Sequence, residues 1–471
     1  MAALEQETAE LAPDVAGDGG AAAACETIRN HSRYARLPVH AGTATLVADG
    51  EPVTGSAEFL LPADGAPIIA IRASRELTNN LAEDLQIVGL QGSQPFTLTS
   101  SVCYTRRPEC GRAEGWSLVS PMNGPVRIEY SGTESVTTAR LVLTNFDYEC
   151  GDAVVSSNGF TRIGTPMVVQ LADRRAVFAR REDYDSVYPL VCAGLLRSAS
   201  LTECSIELSG DTDEELLILA NDIASLLTVA HGGSVGVAIA EFLDSHGRPA
   251  RRIVREPVRS RYRHDPVVKD FYLPRLFQES FETHVKMHRS TLPWRKLPSY
   301  CGSLDDLPYI EQKFAALMMA LEFFMRVSLI EDGEVEADVA KFEWNQLIGV
   351  TRRRLGWDIP KHYTARDTPR LLRNAVMHGA EAPVKDSTEF RLLFNKWRLF
   401  LFRRILIRLG YKGEVISPWR GVAESSAVDD FSEEHNSFDQ SETETHPFVQ
   451  FVRYVKERSK DKAEAETTAG N

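Results

Sequence analysis

Three side chains in one short run have the types and spacing to handle a phosphate. They are Arg373, Asn374 and His378, in the order Pro369-Arg-Leu-Leu-Arg373-Asn374-Ala-Val-Met-His378-Gly379. Residues 374 and 378 leave a helix from nearly the same face, with Arg373 beside them. An imidazole titrates near neutrality, so it can take a proton from a ribose 2′-hydroxyl or return one to a leaving 5′-oxygen. A forked, permanently charged guanidinium suits a phosphate whose negative charge grows in the transition state. The Asn374 amide can orient either group. An Arg five positions ahead of a His arises readily by chance, and a histidine near a helix end can serve only the helix dipole. The context is therefore what counts. Asp367-Thr368-Pro369 offers a cap and a proline for the first helical position, and Gly379 ends the same helix.

Other candidates are weaker. Glu322 sits against the apolar stripe of its predicted helix, where a buried carboxylate needs a partner such as Arg373; the alternative is a stripe-edge position reaching water. Arg352, Arg353, Arg354, Arg403 and Arg404 can line an RNA path, although charge runs on helices are commonly solvated faces. His284 and His288 stand four apart and could share a metal, but no third ligand is evident. Trp344, Trp357 and Trp397 fall at apolar helical positions and read as core. The seven cysteines lack C-x-x-C spacing and read as reduced thiols; Cys103, Cys110 and Cys150 match no common zinc site.

The elements that must position the motif are helical. Apolar residues recur at three-and-four spacing over Ile310 to Ser328, and helices are predicted over Phe271 to Met287, Val339 to Leu355 and Phe390 to Leu409. Helices joined by short loops make a bundle, placed at residues 265–415. Ahead of it, residues 31–260 carry short alternating runs separated by turn residues, such as Ala44 to Val47, Ile68 to Ile71, Leu85 to Val88 and Ala176 to Phe178. They predict an antiparallel β-sandwich-like or barrel-like domain with one helix, opened by Asp213-Glu214-Glu215 and closed by Gly232-Gly233. The fold class is therefore α+β. Residues 1–30 read as a disordered tail, and residues 416–471 as an acidic flexible tail with a short helix over Pro447 to Glu457.

At 471 residues, 43% hydrophobic and 25% charged, the chain has the balance of a globular protein with more than one core. No apolar run is long enough for a bilayer, and the first residues lack the basic start and apolar stretch of a signal peptide, which predicts a cytoplasmic location without membrane contact. The overall charge of −13 argues against a nucleic-acid partner, but its distribution does not. Residues 267–413 hold 24 Lys and Arg against 18 Asp and Glu, so the predicted bundle is set apart as basic.

The segment Arg373-Asn374-x-x-x-His378-Gly379 resembles the R-[polar]-x(3)-H signature of HEPN-superfamily ribonucleases. With a β-rich domain ahead of the bundle it is similar to ApeA-type anti-phage proteins. The specific likeness spans about seven residues. It implies a metal-independent endoribonuclease without a cofactor, acting in abortive infection, with Arg373, Asn374 and His378 catalytic and Glu322 supporting. It also implies a homodimer through the HEPN domain, so that two motifs share one cleft and supply both a base and an acid. The implied partner is RNA, and residues 31–260 would sense a phage-derived or small-molecule trigger. The competing reading is a non-catalytic HEPN module that binds RNA or a ligand, or only dimerises, under control of the β-domain.

Overall fold

The computed structural model describes residues 40–48, 51–60, 68–73, 81–91, 94–106, 117–121, 125–132, 135–148, 151–156, 159–182, 184–192, 198–255, 266–304, 306–359, 387–416 and 425–432. The chain divides into two compact units: residues 1–134 with 249–256, and residues 135–248 with 257–471.

In the first unit β1 (His40–Ala48), β2 (Glu51–Leu60), β3 (Ile68–Ala73), β4 (Leu81–Gln91), β5 (Gln94–Arg106) and β6 (Ser117–Pro121) are all antiparallel. The pairing runs β1-β2-β3-β6-β5-β4 and returns to β1, so six strands close into a barrel. The expected sandwich is thus a ring at this end of the chain. Closure leaves no strand edge for foreign chains to pair with. Strand alternation fills the interior with Ala44, Leu46, Phe59, Ile69, Ile71, Leu85, Ile87 and Leu98, each buried. The long β5 does two jobs along one edge: Cys103–Arg106 pairs with β6, and Phe96–Thr99 pairs with β7 (Val126–Tyr130). A later strand, β15 (Pro249–Val254), adds outside β7.

The second unit has its own antiparallel sheet. It contains β8 (Val136–Thr144), β11 (Met167–Leu171), β12 (Arg174–Arg180), β13 (Ser200–Glu207) and β14 (Gly236–Asp244), ordered β11-β12-β13-β8-β14. A separate hairpin joins β9 (Gly151–Ser156) to β10 (Gly159–Gly164), and helix α1 (Tyr184–Cys192) precedes β13. Helix α2 (Asp213–His231) covers β8 and β14. Its start is fixed by a reciprocal cap, Glu215 N–H donating to Thr212 Oγ1 at 3.2 Å and Thr212 N–H to Glu215 Oε2 at 2.9 Å. Its end turns at Gly232, where φ is +71° and a side chain would strike the Arg398 guanidinium and Val267.

The helices that follow belong to this same unit. They are α3 (Leu273–His288), α4 (Leu297–Ser303), α5 (Ile310–Glu331), α6 (Glu336–Val339), α7 (Trp344–Leu355) and α8 (Ser387–Arg408). Helix α3 packs on β11, α2 meets α3, α4 and α8, and α5 meets α4, α7 and α8. One core therefore runs from sheet to helices, seen where the Phe178 ring of β12 lies 5.4 Å from Phe277 of α3. Trp344 and Trp397 are core residues as expected, while Trp357 is half-buried and stacked 5.2 Å from Phe324. The helix expected over Val339 to Leu355 is interrupted. Arg326 donates to the carbonyls of Val339 and Phe342, and Glu343 opens α7 with its own reciprocal cap to Gln346. Past α8, β16 (Glu414–Ile416) pairs with β17 (Ser425–Ala427), so part of the stretch read as flexible tail is a strand.

Gly42 and Gly89 face each other across β1 and β4, and a methyl on either would run into the main-chain carbonyl of Val88 or Ala41. Gly89→Ala should therefore destabilise the barrel by about 1–3 kcal/mol, whereas an open position such as Gly132 carries no such crowding. Chemical denaturation of the two alanine variants measures the difference.

Candidate functional site

Arg373, Asn374 and His378 lie outside the described residues, as do Cys110 and the segment Pro447 to Glu457. Glu322 of α5 is half-buried, and its Oε1 accepts from Arg326 Nη2 at 2.7 Å and Nε at 3.1 Å. Its described bonds thus hold the arginine that organises the α6–α7 connection. The five arginines part company. Arg352 donates to the Ile359 carbonyl, and Arg354 forms ion pairs with Asp332 and Glu334 at 3.4 and 2.9 Å. Arg353 is exposed. Arg404 lies over the rings of Phe431, Phe400 and Trp357 at 4.2, 5.3 and 5.5 Å. Arg403 has no exposed surface: it donates to the Ala427 carbonyl and to Ser426 Oγ, which makes it the anchor of β17 instead of part of an RNA path.

The strongest polar cluster among the described residues is elsewhere, where α2 meets the end of α3. Asp222 projects from the middle of α2 into a place with almost no solvent, a position a carboxylate tolerates only when ion-paired and hydrogen-bonded. Both oxygens are engaged. His288 Nδ1 lies 2.9 Å from Oδ1, and Arg289 Nη2 donates to Oδ2 at 2.7 Å. Burial pushes the Asp222 carboxyl up, but the bonds from His288 and Arg289 outweigh it and hold the group below the ordinary carboxylate range. One turn earlier on α3, His284 is buried, with Nε2 2.6 Å from Ser225 Oγ and its ring stacked 5.1 Å from that of His288. Burial and the neighbouring His288 push His284 down to about 3, so it is a neutral imidazole at physiological pH.

Chemically, this is an oriented imidazole beside an oriented guanidinium. The carboxylate takes Nδ1–H of His288, which fixes the tautomer and leaves Nε2 as the outward nitrogen. His288 and Arg289 have no other hydrogen-bond partner among the described residues. Arg289 also borders a cavity of about 290 Å³ between the β11–β12 turn and helices α2 and α3. Its walls are apolar, formed by Leu171, Ile218, Leu219, Phe281 and Val285. The same face of α2 that carries Ile218 and Leu219 continues to Asp222, so cavity and cluster adjoin.

Comparison with protein-family models, curated proteins and solved structures found no match. The cluster therefore stands on its chemistry. The sequence spacing picked out His284 and His288 as a pair, but as metal ligands. In the fold they turn to Ser225 and Asp222, and the described residues contain no group of three or more His, Cys, Asp or Glu able to hold a metal. Asp222 was hidden inside an apolar helical run, and its one signal was a lone acid on the buried face of that helix. Cys204 and Cys301 are free, buried thiols, in line with the reduced reading. No helix among the described residues is long and apolar enough to cross a membrane.

The cluster makes stability depend on pH in a defined sense. His284 stays neutral when folded and takes a proton when unfolded, so acid favours the unfolded chain from about pH 6.5 down to about 3, by roughly 1.4 kcal/mol per pH unit. Asp222, held low, adds stability above the ordinary carboxylate pKa that is lost as pH falls through its folded value. His284→Gln should flatten the decline in urea stability between pH 6 and pH 5 by up to about one proton's worth; an unchanged slope contradicts the assignment. Asp222→Ala should lower stability at pH 7 by about 2–3 kcal/mol through loss of two charge-assisted bonds, read from the denaturation midpoint.

Proposed function

We propose that the chain is a metal-independent endoribonuclease of the HEPN type, an abortive-infection effector in which residues 31–260 sense the trigger. The observation that carries the reading is the run Arg373-Asn374-Ala-Val-Met-His378-Gly379 behind the start signal Asp367-Thr368-Pro369. In sequence it falls between α7 and α8, and the regular elements described from residue 270 to residue 408 are all helical. The basic balance of residues 267–413 within an acidic chain adds to this support.

The proposed chemistry follows from the side chains. His378 accepts the 2′-hydroxyl proton, the 2′-oxygen attacks the adjacent phosphorus, and the P–O5′ bond breaks. A second His378, from the other copy in a homodimer, gives the leaving 5′-oxygen its proton. Arg373 neutralises the phosphorane and Asn374 orients the groups. The products are a 2′,3′-cyclic phosphate and a 5′-hydroxyl, and DNA is inert because it has no 2′-hydroxyl. Glu322 supports this arrangement from α5, and Arg352, Arg353 and Arg354 lie one helix earlier in sequence than the motif.

The test is RNA cleavage by purified protein in EDTA. Wild type should yield cyclic-phosphate ends, and His378→Ala should fall by about 10²–10⁴-fold, the range for a lost acid–base group. Equal cleavage by both proteins would refute the proposal, and RNA binding without turnover would favour a non-catalytic module.

A further inference from the structure

The Asp222–His288–Arg289 cluster and its cavity do not enter the proposed RNA chemistry, and they have the parts of a ligand site of their own. We infer that the cluster and the adjoining 290 Å³ cavity bind a small amphipathic phosphomonoester of the nucleoside monophosphate class, with the phosphate on Arg289 and His288 and the flat apolar body between α2 and α3.

The sign of the ligand comes from which charges around the cavity are already satisfied. Arg174 is an ion-pair partner of Asp211 at 2.5 Å and of Asp173 at 3.5 Å. Glu215 closes the α2 cap, and Glu282 pairs with Lys286 at 2.8 Å. The acids at the rim are therefore matched. Arg289, by contrast, gives one nitrogen to Asp222 and is half exposed, so the rest of its fork faces the cavity mouth and solvent with open donors. A phosphate offers the acceptor geometry such a fork matches. His288 adds Nε2, an acceptor for a P–OH when neutral and a second donor to phosphate oxygen when protonated.

The carboxylate is what makes the arrangement a site. Both groups are bonded to the two oxygens of one buried carboxylate, so they are held side by side before any ligand arrives, and the entropy of ordering them is not charged against binding. The apolar walls explain the rest of the ligand. A cavity of about 290 Å³ is at the small end of ligand pockets and suits one base-sized body, not an extended chain. Ile218 at its rim is 40% exposed, an apolar side chain that a bound ring would cover.

The experiment titrates the full chain with adenosine 5′-monophosphate, adenosine and inorganic phosphate by calorimetry, beside Arg289→Ala, Ile218→Asp and His378→Ala. The nucleotide should bind saturably to wild type, at least tenfold tighter than adenosine or phosphate alone. Arg289→Ala and Ile218→Asp should each weaken it about tenfold or more, with unfolding temperatures close to wild type because both side chains reach the surface. His378→Ala should bind as wild type, which separates this site from the nuclease reading. No binding to wild type, equal binding to Arg289→Ala, or phosphate binding as tight as the nucleotide would each overturn the inference. A 5′-phosphorylated oligoribonucleotide that needs Arg289 while the mononucleotide does not bind would also overturn it, in favour of an RNA-end site.

Discussion

A carboxylate placed inside a helix packed on several sides must be given positive partners, and Asp222 imposes that requirement on the second unit. Helix α2 is buried against the sheet through β8 and β14 and against α3, α4 and α8, so the carboxylate has nowhere to reach water along its own helix. The partners it takes are the last residue of α3 and the residue that follows, which ties the end of α3 to the middle of α2. The bonds also favour α3 itself, since cationic groups at a helix C-terminus oppose its dipole. The same three residues thus join two helices and present an imidazole and a guanidinium in fixed register.

Around that point the unit is built from elements whose ends are chemically specified. Thr212 and Glu215 start α2, and Gly232 stops it in a left-handed turn. Arg398 of α8 donates to the Gly232 carbonyl at 3.3 Å, so a buried guanidinium meets the negative end of α2 and holds α8 on it. Arg326 does comparable work for the α6–α7 connection by holding two carbonyls that the interrupted helix leaves without helical donors. In each case an arginine meets main-chain oxygen at a helix end. Sequence alone reads such residues as basic surface.

That explains which parts of the fold were legible. The alternating runs at Ala44, Ile68, Leu85, Ala139 to Leu143 and Ala176 all lie in strands, because period-two burial is a local signal. The α5 and α8 periodicities give helices within a few residues of the expected bounds. Barrel closure was not legible, since it depends on β5 pairing β7 with its first half and β6 with its second, a register set by contacts far apart in the chain. Nor was the common core of sheet and helices, which the division of the chain after residue 134 makes plain. Among site residues, His288 was visible by spacing, but its role required Asp222, 66 positions away. Arg403 looked like its neighbour Arg404, and only packing separates a fully buried cation from one that caps aromatic rings.

Arg403 has one more implication. Its guanidinium sits in an apolar setting where the Ala427 carbonyl and Ser426 hydroxyl solvate it, and Val428 fills the space beside them. The eight residues from Ser425 to Ser432 are therefore part of the folded body in an electrostatic sense, despite their polar composition. A shortened protein ending ahead of them would strip an interior cation of the oxygens that replace its water, a loss borne by α8 and by every helix that leans on it.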